Sequence, residues 1–261
     1  MSTETPSRVE QAAPARRSSA GARRRQFIPP QHGAWAMLLV PYLAGLLVVG
    51  ARWLHAPLLV AWIGGYLWSY YVFQALKSRR PRRFRAQLLV YGAVTLPAAL
   101  LVLALRPAVL WYAPVFAVLL GINAVSAWRR RERTLLNDLA AVAQSCLMVA
   151  VVVTVAGADP WAGAGAFAAC ALYFAGTAFF VKTMIRERDN RTFHRWSLGY
   201  HAAALVASLP LGPAAAAFFA WTALRAWLLP RRRLAPVQIG LIEIVNSVAL
   251  LAVIGTTLVG R

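Results

Sequence analysis

Acidic residues are the scarcest feature of this 261-residue chain: 8 Asp and Glu stand against 28 Lys and Arg, for a formal net charge of +20. Charge of either sign is thin, at 14% of residues. A soluble domain of this length needs more polar surface than that. Cysteine is nearly absent. Cys146 and Cys170 both fall inside apolar runs, which excludes a disulfide or zinc framework and leaves two small buried hydrophobes. No phosphate-binding glycine loop, dinucleotide fingerprint, serine nucleophile elbow or HExxH pair occurs. No cofactor is therefore named, and no metal ligand set is assigned. A cleaved signal peptide is not expected, because the first 28 residues are too polar to form its apolar core.

Apolar residues fill the remaining space. They make up 60% of the chain, with 10 Trp and a mean hydropathy of +0.57. Runs near the length of a bilayer crossing, about 20 residues, recur without the alternation of a β-barrel. The fold class is all-α, a polytopic transmembrane helix bundle of about nine spans. The predicted spans are 33–50, 57–76, 86–105, 108–127, 136–156, 161–183, 196–211, 213–229 and 237–259. Residues 1–30, rich in Ala, Ser, Pro and Arg, read as a disordered basic tail, and residues 31–261 as a single transmembrane domain.

The bases alternate with the spans. Of the 28 Lys and Arg, 25 lie in the tail and in the segments 77–85, 129–133, 182–195 and 225–233, while Arg52, Arg106 and Arg261 lie at the opposite ends. This asymmetry places the N-terminus in the cytoplasm. It also assigns the positive charge to topology and to anionic headgroups of the lipid bilayer rather than to nucleic acid. The segment 196–229, interrupted by Leu-Pro-Leu-Gly-Pro, reads as two crossings, with a re-entrant hairpin as the alternative. Pro41, Pro97 and Pro114 fall inside predicted helices and should kink them.

Polar groups are costly in such helices, so those at the cytoplasmic ends are the candidate site. Gln31, His32 and Trp35 open the first span. Asn123 precedes a second cluster of Arg133, Asn137 and Asp138, in which Thr134 caps the fifth helix, Asp138 suits its dipole, and Asn137 shares a face with Gln144. Lys182 and Arg186 share a helix face with Asp189, beside Glu187. Glu243 and Asn246 share a face of the last span, and Lys182 or Arg186 is the expected partner of the Glu243 carboxylate. Each cluster also has a plainer reading as a cap, a local ion pair or a topology signal. Their common depth suggests a cationic chamber open to the cytoplasm, suited to a phosphate or carboxylate.

The stretches QHGAWAMLLVPYLAG, RERTLLNDLA and GTAFFVKTMIRERDN resemble the YwiC-like family of bacterial membrane proteins over roughly residues 28–259. That resemblance implies an integral membrane protein of the plasma membrane, with no established activity. A more distant likeness, in helix number and orientation, is to the UbiA-type intramembrane prenyltransferases. In that fold two Asp-rich motifs hold magnesium and a prenyl diphosphate. Here KTMIRERDN, with Asp189, stands at the second motif's place, while FQALKSRRPRR at the first has no acid. The paired-carboxylate metal site is therefore missing. A phosphate would instead be held by Lys77, Arg133, Lys182 and Arg186, with His32 or Asp189 moving a proton. The expected ligand is an anionic lipid or an isoprenoid phosphate. Organic-anion transport, or a ligand-free membrane subunit packing through the small-residue faces 162–176 and 202–217, are the alternatives.

Overall fold

The computed structural model describes Phe27 and residues 32–257, with only the backbone for 32–34. The chain divides at Pro30 into two units, and the second, Gln31–Arg261, is the one described below. The tail expected to be disordered thus falls outside the described residues, apart from Phe27. Among the described residues there is no strand, and the helices are α1 (His32–Val49), α2 (His55–Ser78), α3 (Arg85–Leu105), α4 (Ala113–Trp128), α5 (Leu135–Val155), α6 (Ala164–Ile185), α7 (Arg191–Ser208), α8 (Pro213–Leu228) and α9 (Pro236–Thr257). Short 3-10 turns join several of them.

The helix limits follow local chemistry. Thr134 caps α5 as expected, its hydroxyl accepting from the Asn137 N–H at 3.4 Å. Asn190 caps α7, its side-chain oxygen accepting from Phe193 N–H at 3.0 Å. That cap starts α7 five residues before the expected span, so the polar stretch 191–195 is helical. Gly212, at φ 109°, turns the chain into α8, which begins on Pro213. Pro41 and Pro97 lie inside α1 and α3. Pro114 does not interrupt a helix. Residues 107–112 form a 3-10 turn and α4 begins at Ala113, so Pro114 stands in the first turn, where a missing N–H breaks no helical bond.

Among the described residues, six helical segments are long and apolar enough to cross a membrane: His55–Ser78, Pro81–Leu105, Pro107–Trp128, Leu135–Val155, Pro160–Ile185 and Pro236–Thr257. The chain is thus a multi-pass membrane protein. Helices α7 and α8 do not qualify. Helix α7 opens on the polar stretch Arg191-Thr-Phe-His-Arg195, and α8, at 16 residues, reaches only about 24 Å against a bilayer core of about 30 Å.

Helix α5 is the centre of the bundle: most of its residues from Ser145 to Val155 are buried, whereas α4 buries only Ala127. It packs most closely on α1, with α6 and α4 beside it, and α1 also touches α9. A Cβ at Gly45 of α1 would stand 2.7 Å from the Val152 Cβ of α5, so only glycine permits this approach. The main core joins Val40, Val149, Cys146, Cys170, Tyr173, Phe219 and Leu250. Helices α2 and α3 form a hairpin on one flank, and α7 and α8 pair on the other.

Candidate polar sites at the basic end and in the core

The basic loops meet at one end of the bundle. Lys77, at the end of α2, pairs with Glu132 in the α4–α5 loop. Lys182, near the end of α6, reaches the end of the same loop and the first turn of α5. Its ammonium lies 2.7 Å from Asp138 Oδ2 and donates to the Arg133 carbonyl at 2.5 Å. Asn137 Nδ2 donates to the Glu132 carbonyl at 2.9 Å. Arg188 donates to the Leu234 carbonyl, which ties the α6–α7 turn to the segment before α9. Two lysines therefore clamp the α4–α5 loop. Lys182 is only 7% exposed, whereas the Lys77 side chain is 38% exposed.

A second network lies in the core between α6, α8 and α9. Arg225 of α8, 2% exposed, pairs with Glu243 Oε1 of α9 and stacks over Phe180, 4.2 Å from the ring centre. The other carboxylate oxygen, Oε2, accepts from Thr177 at 2.7 Å and from Tyr173 at 3.2 Å, both on α6. Ser247 stands 3.4 Å from the same tyrosine hydroxyl. One turn along, Trp221 Nε1 donates to Asn246 Oδ1 at 2.9 Å. Rungs 221–246 and 225–243 thus form a polar ladder between antiparallel α8 and α9. Three donors shared over the two carboxylate oxygens are what make such a buried pair tolerable.

The sequence candidates distribute over these networks unevenly. Gln31 and the His32 side chain lie outside the described residues. Trp35 is half-buried and meets Tyr66 edge-on, 6.3 Å between centres. Lys77, Arg133, Asn137, Asp138 and Lys182 come together around one loop. Asn123 donates to Gln144 at 3.3 Å, so Gln144 turns to α4 rather than to Asn137. Arg186 and Asp189 are exposed beyond the end of α6. Asp189 therefore shares no helix face with Lys182, and Asp138 supplies that anion instead. Glu187 accepts from Asn190 at 2.9 Å. Glu243 is paired with Arg225, not with Lys182 or Arg186.

Arg225, Tyr173, Thr177 and His201 are the residues that sequence reasoning passed over. Arg225 carried a usable signal. It stands six residues before Arg231, inside an apolar run, and so does not belong to the basic loop with which it was grouped. His201 stood in a segment of doubtful helix type. Tyr173 and Thr177 are four apart and look like ordinary helix residues until α9 is placed against them.

A groove runs along α4 to its basic end. Val118, Gly121, Ile122, Val125 and Ser126 of α4 line it with Leu136, and Arg129, Arg131 and Thr134 close its loop end. Its volume is 540 Å³. Arg129 and Arg131 are exposed and form no ion pair with a described residue. Thr134 marks the start of α5, whose first N–H groups and positive dipole end face the same loop.

Residues 28–153 match the YwiC-like protein family. A Bacillus subtilis (strain 168) protein named "Uncharacterized protein YwiC" is 37% identical over 239 residues, covering 88% of this chain and 97% of its own. A Haemophilus influenzae protein is 27% identical over 236 residues, covering 83% of this chain and 92% of its own. No solved structure matches the chain. Near-full-length identity to the first relative, with the family match across α1 to α5, places this multi-pass helical protein in the YwiC-like family.

Proposed function

We propose that the protein binds a phosphate-bearing lipid, of isoprenoid or phospholipid type, at the cytoplasmic end of α4 in the plasma membrane. The observation that carries this reading is the 540 Å³ groove, apolar along α4 and cationic at its loop end. An alkyl or isoprenoid chain would lie against Val118, Ile122 and Val125. The phosphate would meet Arg129 and Arg131 as charge-assisted hydrogen bonds, with the α5 N-terminus adding its N–H groups. Lys77 and Lys182 already hold carboxylates, so in this reading they fix the loop that carries the arginines rather than the phosphate itself. Turnover of the bound lipid is the finer step of the same reading, with His32 and Asp189 as the groups that would move a proton.

Native mass spectrometry of the purified protein with its co-purifying lipid tests this. Wild type should retain a discrete phosphorylated lipid that an Arg129→Ala/Arg131→Ala variant loses. Bulk phospholipid on both, in equal proportion, would sink the reading.

A further inference from the structure

We propose that Nε2 of His201 is a proton-binding site inside the helix bundle, distinct from the lipid groove. His201 is 2% exposed. Its Nδ1 lies 2.7 Å from the Ser197 carbonyl oxygen. A carbonyl only accepts, so Nδ1 carries the hydrogen and Nε2 of the neutral ring presents a lone pair. That lone pair has no hydrogen-bond partner among the described residues.

The contrast with His55 gives this meaning. His55 is equally buried, yet its Nδ1 accepts from the Arg52 N–H at 2.9 Å and its Nε2 lies 3.1 Å from the Val152 carbonyl. Both of its nitrogens are used. A buried acceptor without a partner points to a ligand or water that belongs there.

Space and charge choose the ligand. The ring packs on Gly176 of α6 so closely that a Cβ there would stand 3.2 Å from Nε2. A proton needs no cavity. Gly176 of α6 and Tyr200 of its own helix pack on the ring, Ser197 accepts from it, and the charged groups that act on it are Arg225 on α8 and Glu243 on α9. The Arg225 guanidinium opposes a proton on the ring and the Glu243 carboxylate favours one. The Glu243 carboxylate is already occupied by Arg225, Thr177 and Tyr173, whereas His201 Nε2 and the Ser197 hydroxyl have no hydrogen-bond partner among the described residues. Protonation adds a single positive charge, taken from bulk water and returned to it. It would change the fit of α7 on α6 and α8 without any further chemistry.

The test is the imidazole nitrogen spectrum of the full chain, labelled with ¹⁵N-histidine and held in lipid nanodiscs. The chain has four histidines, and His201→Gln assigns the signal. At about pH 8 His201 should appear neutral and protonated at Nδ1, and on lowering to about pH 5 it should convert reversibly to the doubly protonated ring. Gly176→Ala, which crowds Nε2, should move that transition and leave those of the other histidines in place. A ring protonated at Nε2 alone, or one that stays neutral throughout while the protein remains folded, would overturn the proposal. So would a transition that Gly176→Ala leaves unmoved.

Discussion

Glu243 and Glu132 are each paired with one basic side chain, yet they sit in different surroundings. The Arg225 and Glu243 side chains are 1% and 12% exposed; those of Lys77 and Glu132 are 38% and 35% exposed. Around Glu243 the protein replaces water with a guanidinium, two hydroxyls and an aromatic face. Around Glu132 water does most of that work. Coulomb attraction is several times stronger in the first setting, and so is the cost of breaking the pair unevenly. Lys182–Asp138 lies between them, with side-chain exposures of 8% and 30%. The same type of bond should thus matter in three different degrees.

That ranking can be broken by experiment. Glu243→Ala leaves Arg225 buried and unpaired, and should cost about 3–5 kcal/mol, read by thermal or denaturant unfolding in detergent. The double change Arg225→Met/Glu243→Leu removes both charges and should come out near neutral in the same assay. If the double variant were as unstable as the single one, the loss would belong to packing and not to an orphaned charge.

Lys182→Ala should cost less, roughly 1.5–3 kcal/mol, because Asp138 regains water on its exposed side while the Arg133 carbonyl loses its donor. Limited proteolysis of the α4–α5 loop would sharpen this, since loosening the clamp should speed cleavage there. Lys77→Ala should cost below about 1 kcal/mol and become undetectable at high salt. A Lys77→Ala loss equal to that of Lys182→Ala would remove the distinction between the two ends of the clamp.

Much of the fold was legible because the signals were local. Thr134 followed by Asn137 announces a cap, and the apolar runs announce helices of about the right length. Pro114 misled for an equally local reason. A proline in the first turn and a proline in the middle of a helix look alike when the helix start is misplaced by five residues. The basic-end cluster was legible in membership, since Lys77, Arg133, Asn137, Asp138 and Lys182 do meet, but not in pairing. Lys182 was expected to share a face with Asp189. The helix ends at Ile185, and Asp138, 44 residues earlier in the chain, takes the bond instead.

By itself the sequence determined the class of the molecule and the end of the bundle that carries its bases. Both depend on composition and on residues adjacent in the chain: apolar runs must become helices in lipid, and clustered cations stay on one side. Only the tertiary structure decided which charge answers which. Glu243 could have met any cation of similar depth. Helix packing set Arg225 beside it and turned Thr177 and Tyr173 toward its second oxygen. The same packing left His201 Nε2 without a partner. Such choices depend on the rotation and register of helices far apart in sequence, and periodicity within any one helix does not encode them.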